Sequence, residues 1–218
     1  MGRIHLGTIL GTRISLDFSF IILIVFFVLT YAQRAGMQYA LLWAPVLLIS
    51  ILFHELAHAA MIGILGFGPS EIVLQGIGGA TFNKRRARPW QDLLISLVGP
   101  LSSFALGYAV LMVPLPNDPF FRALIPLLST ANIWWAFFNL LPVGPLDGGN
   151  ALRNFLRLFL RDRIAFVISV WTSIIVGSSV AILGVVSRQV FLALLMLWYI
   201  RDSYMQWQFF RQTNRPDE

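Results

Sequence analysis

The segment FHELAH, residues 53–58, places two histidines and a glutamate inside an otherwise apolar run. In a helix, His54 and His58 are spaced i, i+4, so both imidazoles lie on one face about one turn apart. That separation suits two ligands of one tetrahedral zinc ion, and Glu55 beside them can act as a general base towards water. An ionisable side chain at bilayer depth costs roughly 2.5–3.5 kcal/mol on insertion scales, so the segment requires a functional explanation. The motif therefore predicts a hydrolytic zinc site.

Two other interpretations of the histidine pair are weaker. The histidines could instead make structural hydrogen bonds between helices. A haem site is disfavoured, because histidines spaced i, i+4 cannot take opposite axial positions on one iron.

A third protein ligand must come from an acid, because the chain has no cysteine and no suitable third histidine. Asp147 is the best candidate, in the segment NLLPVGPLDGG at residues 139–149. Two prolines in this segment break the preceding helix, and Gly148 and Gly149 allow close backbone approach. The charges of Zn²⁺, Asp147 and Glu55 sum to zero with neutral histidines, which lowers the cost of burying the site in a membrane.

The composition excludes an ordinary soluble domain. Hydrophobic residues make up 57% of the 218 residues and charged residues 12%, against about 25% charged in soluble proteins. We expect a single, mostly α-helical membrane domain over residues 1–218, with six transmembrane helices and a small membrane-associated β-sheet on the cytosolic side. The six predicted spans are Asp17–Ala32, Ala40–Leu65, Trp90–Val113, Phe120–Val143, Ile164–Val186 and Val190–Tyr204.

The basic residues indicate the orientation of these spans. Of sixteen Lys and Arg residues, all but three fall in segments on the side of the N-terminus; the exceptions are Arg34, Arg122 and Arg188. The positive-inside rule then predicts that both termini are cytosolic, and it explains the net charge of +6 without nucleic acid. Residues 18–32 also resemble a cleaved signal peptide, but the charge distribution favours a retained span.

Two segments have the pattern of strands rather than helices. Residues 3–16 alternate around two glycines, and residues 70–83 are β-branched and rich in glycine. Both fall on the predicted cytosolic side, so they can pair into one sheet. Its edge could hold an unwound substrate segment by β-addition, or the sheet could be purely structural.

The two polar motifs together resemble the site-2 protease family of intramembrane zinc metalloproteases. FHELAH matches the family's HExxH signature, and NLLPVGPLDGG matches its Asn-x-x-Pro-x-x-x-Leu-Asp-Gly pattern. VGPLSS, residues 98–103, resembles the family's Gly-Pro-centred stretch, although Ser103 stands where asparagine is usual. The resemblance covers about residues 3–155, followed by C-terminal helices at about 164–204. It indicates a minimal form, with no inserted PDZ domain and no nucleotide-sensing domain.

The resemblance implies a role for each motif residue. His54, His58 and Asp147 would bind one Zn²⁺ per chain, and Glu55 would be the catalytic glutamate. Asn139 would help to bind the substrate, and the segment around Gly78 and Gly79 resembles the family's membrane-reentrant β-loop.

The resemblance also implies a class of substrate and a location. The expected substrate is a transmembrane protein or a signal-peptide remnant, cleaved within the bilayer of a prokaryotic plasma (inner) membrane. A metal transporter or a non-catalytic membrane scaffold is the alternative, although no related halves of the kind common in transporters are visible. The sequence specifies neither the natural substrate nor the oligomeric state.

Overall fold

Helices dominate the computed structural model, which describes residues 3–9, 11–84, 87–114 and 116–213. The four strands are β1 (Arg3–Ile9), β2 (Thr12–Asp17), β3 (Glu71–Gln75) and β4 (Gly78–Phe82). The eight helices are α1 (Phe18–Ala35), α2 (Met37–Ala40), α3 (Trp43–Ile64), α4 (Pro89–Leu111), α5 (Pro119–Asn139), α6 (Asp147–Leu156), α7 (Asp162–Val186) and α8 (Val190–Thr213).

The chain divides into two compact units. The first contains the described residues of 1–86 and 98–137, and the second contains those of 87–97 and 138–218. The boundary between the units therefore falls within α4 and again near the end of α5.

The strands of the first unit form one four-stranded sheet in the order β1-β2-β3-β4. β1 and β2 form an antiparallel hairpin, as do β3 and β4, whereas β2 and β3 pair in parallel from Arg13↔Glu71 to Leu16↔Leu74. The prediction that the two strand segments build one small sheet is confirmed.

The sheet packs against the apolar helices α1 and α3 through one buried cluster. Ile72 and Leu74 of β3 contribute to it, together with Phe20 of α1 and Ile51 of α3. The three middle residues of β3 are all buried, as expected for a strand that lies in the middle of the packed layer.

A capping interaction joins the sheet to α1. The Asp17 carboxylate accepts a hydrogen bond from the Ser19 backbone N–H at 2.9 Å, which satisfies one of the free donors of the first turn. The Ser19 hydroxyl also accepts a bond from the Gly76 N–H at 2.9 Å, in the turn between β3 and β4.

The core of the second unit lies between α7, α8 and the loop that follows α5. Val143 and Leu146 of the loop pack against Ala181 of α7 and against Met196 and Tyr199 of α8. The loop is therefore held by apolar contacts with the C-terminal helix pair.

Within the described residues, three helical segments are long and apolar enough to cross a membrane: residues 37–64, 89–111 and 162–186. Residues 18–33 form a shorter apolar helix. The chain is an integral membrane protein, and the number of six spans stays a prediction. The helix predicted to end at Val143 ends at Asn139 instead, and α6, which the sequence did not predict as a separate helix, begins at Asp147.

Candidate metal and catalytic site

The two histidines of the HExxH motif converge on α3, as the i, i+4 spacing predicts. Their side chains are buried, with 2% of His54 and 6% of His58 exposed. The two Nε2 atoms lie 3.2 Å apart, and the ring planes are inclined at 79°. Two imidazole nitrogens therefore face the same small volume, an arrangement that suits two ligands of one metal ion.

A glycine on α4 leaves space in front of these nitrogens. A Cβ atom built on Gly99 would lie 2.8 Å from Nε2 of His54, and it would come nearer still to Nε2 of His58. Any other residue at position 99 would place its side chain where the two nitrogens point. The donor set and the space at Gly99 both fit a zinc ion.

A serine fixes the orientation of one histidine. The Ser103 hydroxyl, which is fully buried on α4, lies 3.0 Å from Nδ1 of His54. When Nδ1–H donates to this oxygen, Nε2 is left as the acceptor that can bind a metal. The sequence indicated Ser103 only as a departure from the family's usual asparagine, and its contact with His54 required the structure.

Glu55 is held by the sheet. Its side chain is 4% exposed, and Oε2 accepts a hydrogen bond of 2.7 Å from the hydroxyl of Thr81 in β4. The same hydroxyl lies 3.2 Å from the main-chain oxygen of Glu55, so β4 is tied to both the backbone and the carboxylate. Thr81 is a second residue of the site that the sequence pattern did not single out.

The two glycines of β4 are both close-contact positions. A Cβ atom on Gly79 would lie 2.5 Å from Oε1 of Glu55, so this strand approaches the carboxylate as only glycine allows. Gly78 has a φ angle of +128°, and a Cβ atom there would lie 3.0 Å from the ring of Trp135 on α5. The ring of Trp135 also stands edge-on to His54, with 6.5 Å between ring centroids.

Asp147 is the first residue of α6, in the second unit. A Cβ atom on Gly148 would collide with the backbone of Leu140, and one on Gly149 would collide with the backbone of Val143. The glycine pair therefore lets α6 start directly against the turn that leaves α5, as the sequence predicted.

Two serines hold the same turn from the other side. The N–H of Gly144 donates to the Ser173 hydroxyl of α7 at 2.8 Å, and this hydroxyl lies 2.7 Å from that of Ser203 in α8. The segment that carries Asp147 is thus bonded to the C-terminal helix pair. Asn139 is the last residue of α5 and is buried, with 8% of its side chain exposed.

Comparison with known proteins supports the same interpretation. No family model matches the chain. A zinc metalloprotease of Methanocaldococcus jannaschii is 29% identical over 89% of the chain, and stage IV sporulation protein FB of Bacillus subtilis is 31% identical over 49%. The chain spans 58% of the length of the first relative and 37% of the second.

A solved structure matches along the whole chain. It is the site-2 protease from Methanocaldococcus jannaschii, with a TM-score of 0.69 and 25% identity, over 100% of this chain and 97% of the other. In both sequence and fold the chain resembles the site-2 protease family. The resemblance read from the two motifs is therefore confirmed at the level of the fold.

Proposed function

We propose that this site-2 protease homologue is an intramembrane zinc metalloprotease that hydrolyses peptide bonds within or near transmembrane segments. The observation that carries this proposal is the convergence of His54 and His58 on the space at Gly99, with a buried glutamate beside them. The zinc metalloprotease named among its relatives supports the same activity.

The proposed ligands are His54, His58 and Asp147, with one zinc ion per chain. These three side chains could together form a metal site, and the mixture of imidazole and carboxylate donors is typical of catalytic zinc. When bound, zinc supplies a Lewis acid that polarises a carbonyl and makes water nucleophilic near neutral pH.

Glu55 is the proposed general base. It takes a proton from the attacking water and transfers it to the nitrogen of the departing amine. The Thr81 hydroxyl bonded to Oε2 fixes the orientation of the carboxylate for this proton transfer. Glu55 follows His54 by one residue and precedes His58 by three, so it lies one residue round the helix from the ligand face, beside the ion rather than bound to it.

The peptide substrate is proposed to bind along β4. A helical substrate must unwind before cleavage, and a strand edge replaces its lost backbone hydrogen bonds. β4 is at one end of the sheet among the described residues, and its glycines at 78 and 79 lie next to Trp135 and Glu55. Asn139 is proposed to bind the substrate as well. The substrates are transmembrane proteins or signal-peptide remnants.

The catalytic role of Glu55 can be separated from metal binding. We expect Glu55→Gln to abolish cleavage of a model transmembrane substrate and to retain zinc, whereas His54→Ala should lose both. Metal analysis of the purified proteins, together with the cleavage assay, measures the two properties. A zinc-free Glu55→Gln protein, or full cleavage by that variant, would overturn the assignment of roles. No cleavage by the wild-type protein would favour a transporter or scaffold.

The proposed location is a prokaryotic plasma membrane, with both termini in the cytosol. This orientation is supported by the basic residues, thirteen of which fall on the side of the N-terminus in the six-span arrangement. The chain has no cysteine, so labelling of a single cysteine introduced at Arg157 or at Arg188 shows on which side of the membrane that position lies. We expect Arg188→Cys to react with an impermeant maleimide in intact cells and Arg157→Cys to react only after lysis. The reverse pattern would contradict the orientation.

A further inference from the structure

A cavity in the second unit, distant in the sequence from the HExxH motif, is lined by arginines and phenylalanines. Its volume is about 490 Å³, and α6, α7 and α8 all contribute to its wall. The lining residues are Arg153, Asp162, Arg163, Phe166, Gln206, Phe209, Phe210 and Thr213. Neither the zinc site nor the proposed substrate strand uses this cavity.

The two lining arginines rest on aromatic rings rather than on carboxylates. The guanidinium carbon of Arg153 lies 5.0 Å from the centre of the Phe166 ring, and that of Arg163 lies 5.8 Å from the centre of the Phe210 ring. Stacking on a ring fixes the plane of a guanidinium and leaves its N–H groups available at the edge. Both arginines can therefore still donate to an anion.

The acid in the lining compensates these two arginines only in part, because its hydrogen bond goes to a third arginine. Asp162 accepts a hydrogen bond of 2.9 Å from Nε of Arg157, and Arg157 also donates to Asn154 at 3.0 Å. Burial, and then the charge of Arg157, lower the pKa of Arg153. Among the described residues, the lining of the cavity therefore carries a net positive charge, with two arginines against one aspartate.

The residues around the cavity have the composition expected at a membrane interface. The cavity lies at the start of α7, which is long and apolar enough to cross a membrane. Four arginines and one aspartate occur between residues 153 and 163, a net charge of +3. Phe159, which is 73% exposed, and Phe209, which is 71% exposed, stand among these charges, as expected where the acyl region meets the headgroups.

We propose that this cavity binds the headgroup of an anionic phospholipid. Arg153 and Arg163 contact the phosphate oxygens, and the phenylalanines contact the glycerol and the first carbons of the acyl chains. Basic pockets between membrane helices bind anionic headgroups in this way, and an arginine matches a phosphate through two parallel N–H bonds. A free phosphate ion offers the same oxygens but has nothing to place against the aromatic wall.

The test measures lipid binding to the purified full-length protein in mild detergent by native mass spectrometry. The probes are a short-chain phosphatidylglycerol, the matching phosphatidylcholine and inorganic phosphate. We expect the wild-type protein to bind phosphatidylglycerol at least about tenfold more tightly than phosphatidylcholine. The double substitution Arg153→Gln/Arg163→Gln should weaken phosphatidylglycerol binding by about ten- to thirtyfold, because each basic residue near an anionic surface contributes on the order of a factor of five. Phosphatidylcholine binding should not change.

The matched control removes the same charge elsewhere. Arg122→Gln/Arg188→Gln should leave phosphatidylglycerol binding unchanged, since neither residue lines the cavity. If this control weakens binding as much as the test pair, or if the wild-type protein does not distinguish the two lipids, the proposal is wrong. Complete displacement of the lipid by equimolar inorganic phosphate would also overturn it, in favour of a free-phosphate site.

A second pair of variants keeps the test decisive if the glutamine variant does not fold. Arg153→Lys/Arg163→Lys retains both charges but cannot form two parallel hydrogen bonds to a phosphate. We expect a severalfold loss of phosphatidylglycerol affinity with an unchanged unfolding temperature in the absence of lipid. An unchanged affinity would contradict the proposed contacts.

Discussion

Substitution of Gly99 by alanine separates the stability of the protein from its capacity to bind metal. Gly99 lies inside α4, where alanine is favoured over glycine by about 0.5–1 kcal/mol. The new methyl group, however, would lie 2.8 Å from Nε2 of His54 and nearer to Nε2 of His58. Ordinary contact begins at 3.4 Å, so the methyl group is about 0.6 Å too close to Nε2 of His54. Its overlap with Nε2 of His58 is larger still.

The same atoms set the size of the effect on zinc affinity. Zinc binds imidazole nitrogen at about 2.0–2.1 Å, so the ion needs the volume directly in front of both nitrogens. The methyl group occupies part of that volume, and the imidazoles must rotate to escape it, which also breaks the contact of His54 with Ser103. Since loss of an outer hydrogen bond alone costs about 10–100-fold in affinity, we expect Gly99→Ala to weaken zinc binding by at least about 100-fold.

Competition with a chromogenic chelator measures this affinity in detergent, and thermal unfolding of the metal-free protein shows that the variant is folded. Gly63→Ala is the matched control, because Gly63 is also helical and a Cβ atom there meets nothing within 4 Å. It should gain similar helix stability and keep the wild-type zinc affinity. A Gly99→Ala protein that binds zinc as tightly as the control would refute the placement of the metal between the histidines and α4.

Two further substitutions test the elements that support the site. Ser173→Ala removes the acceptor of the Gly144 N–H, and a buried unsatisfied donor costs about 1–3 kcal/mol. We therefore expect lower stability and a severalfold weaker zinc affinity. The control is Ser169→Ala, which should show neither change because the Ser169 hydroxyl bonds to a carbonyl within α7. Backbone N–H groups along β4 point alternately towards β3 and away from it. Residues 75 and 78 flank a two-residue turn as a hydrogen-bonded pair, so three residues further along β4 the N–H of Thr81 points away from β3. Thr81→Pro should therefore cleave substrate much more slowly than Thr81→Ala at equal zinc content, and equal rates would show that β4 does not pair with the substrate.

Local patterns in the sequence predicted the parts of the site that depend on local geometry. The i, i+4 spacing fixes the relative position of His54 and His58 within one helix, and in the structure their Nε2 atoms lie 3.2 Å apart. The prolines and glycines around Asp147 predicted a sharp turn with close backbone contacts, and Gly148 and Gly149 make such contacts. In both cases the geometry is determined over fewer than ten residues.

The sequence was less informative where residues far apart come together. The contact of Ser103 with His54 joins residues 49 apart, and that of Thr81 with Glu55 joins residues 26 apart. A buried serine or threonine has the same local pattern whether it supports a site or only packs. The end of α8 was also missed: the predicted span stops at Tyr204, but the helix continues to Thr213 because no helix-breaking residue intervenes.

The parallel pairing of β2 with β3 restricts how many times the intervening chain can cross the bilayer. The two strands are hydrogen-bonded neighbours, so residues 17 and 71 lie on the same side of the membrane, and the chain between them crosses an even number of times. If residues 37–64 cross once, the other crossing falls to α1, although it is the shorter apolar helix. Its 18 residues extend about 27 Å, close to the roughly 30 Å of a hydrocarbon core. If α1 failed to cross, β2 and β3 would lie on opposite sides of the membrane and could not pair, so formation of this sheet requires α1 to be inserted across the bilayer.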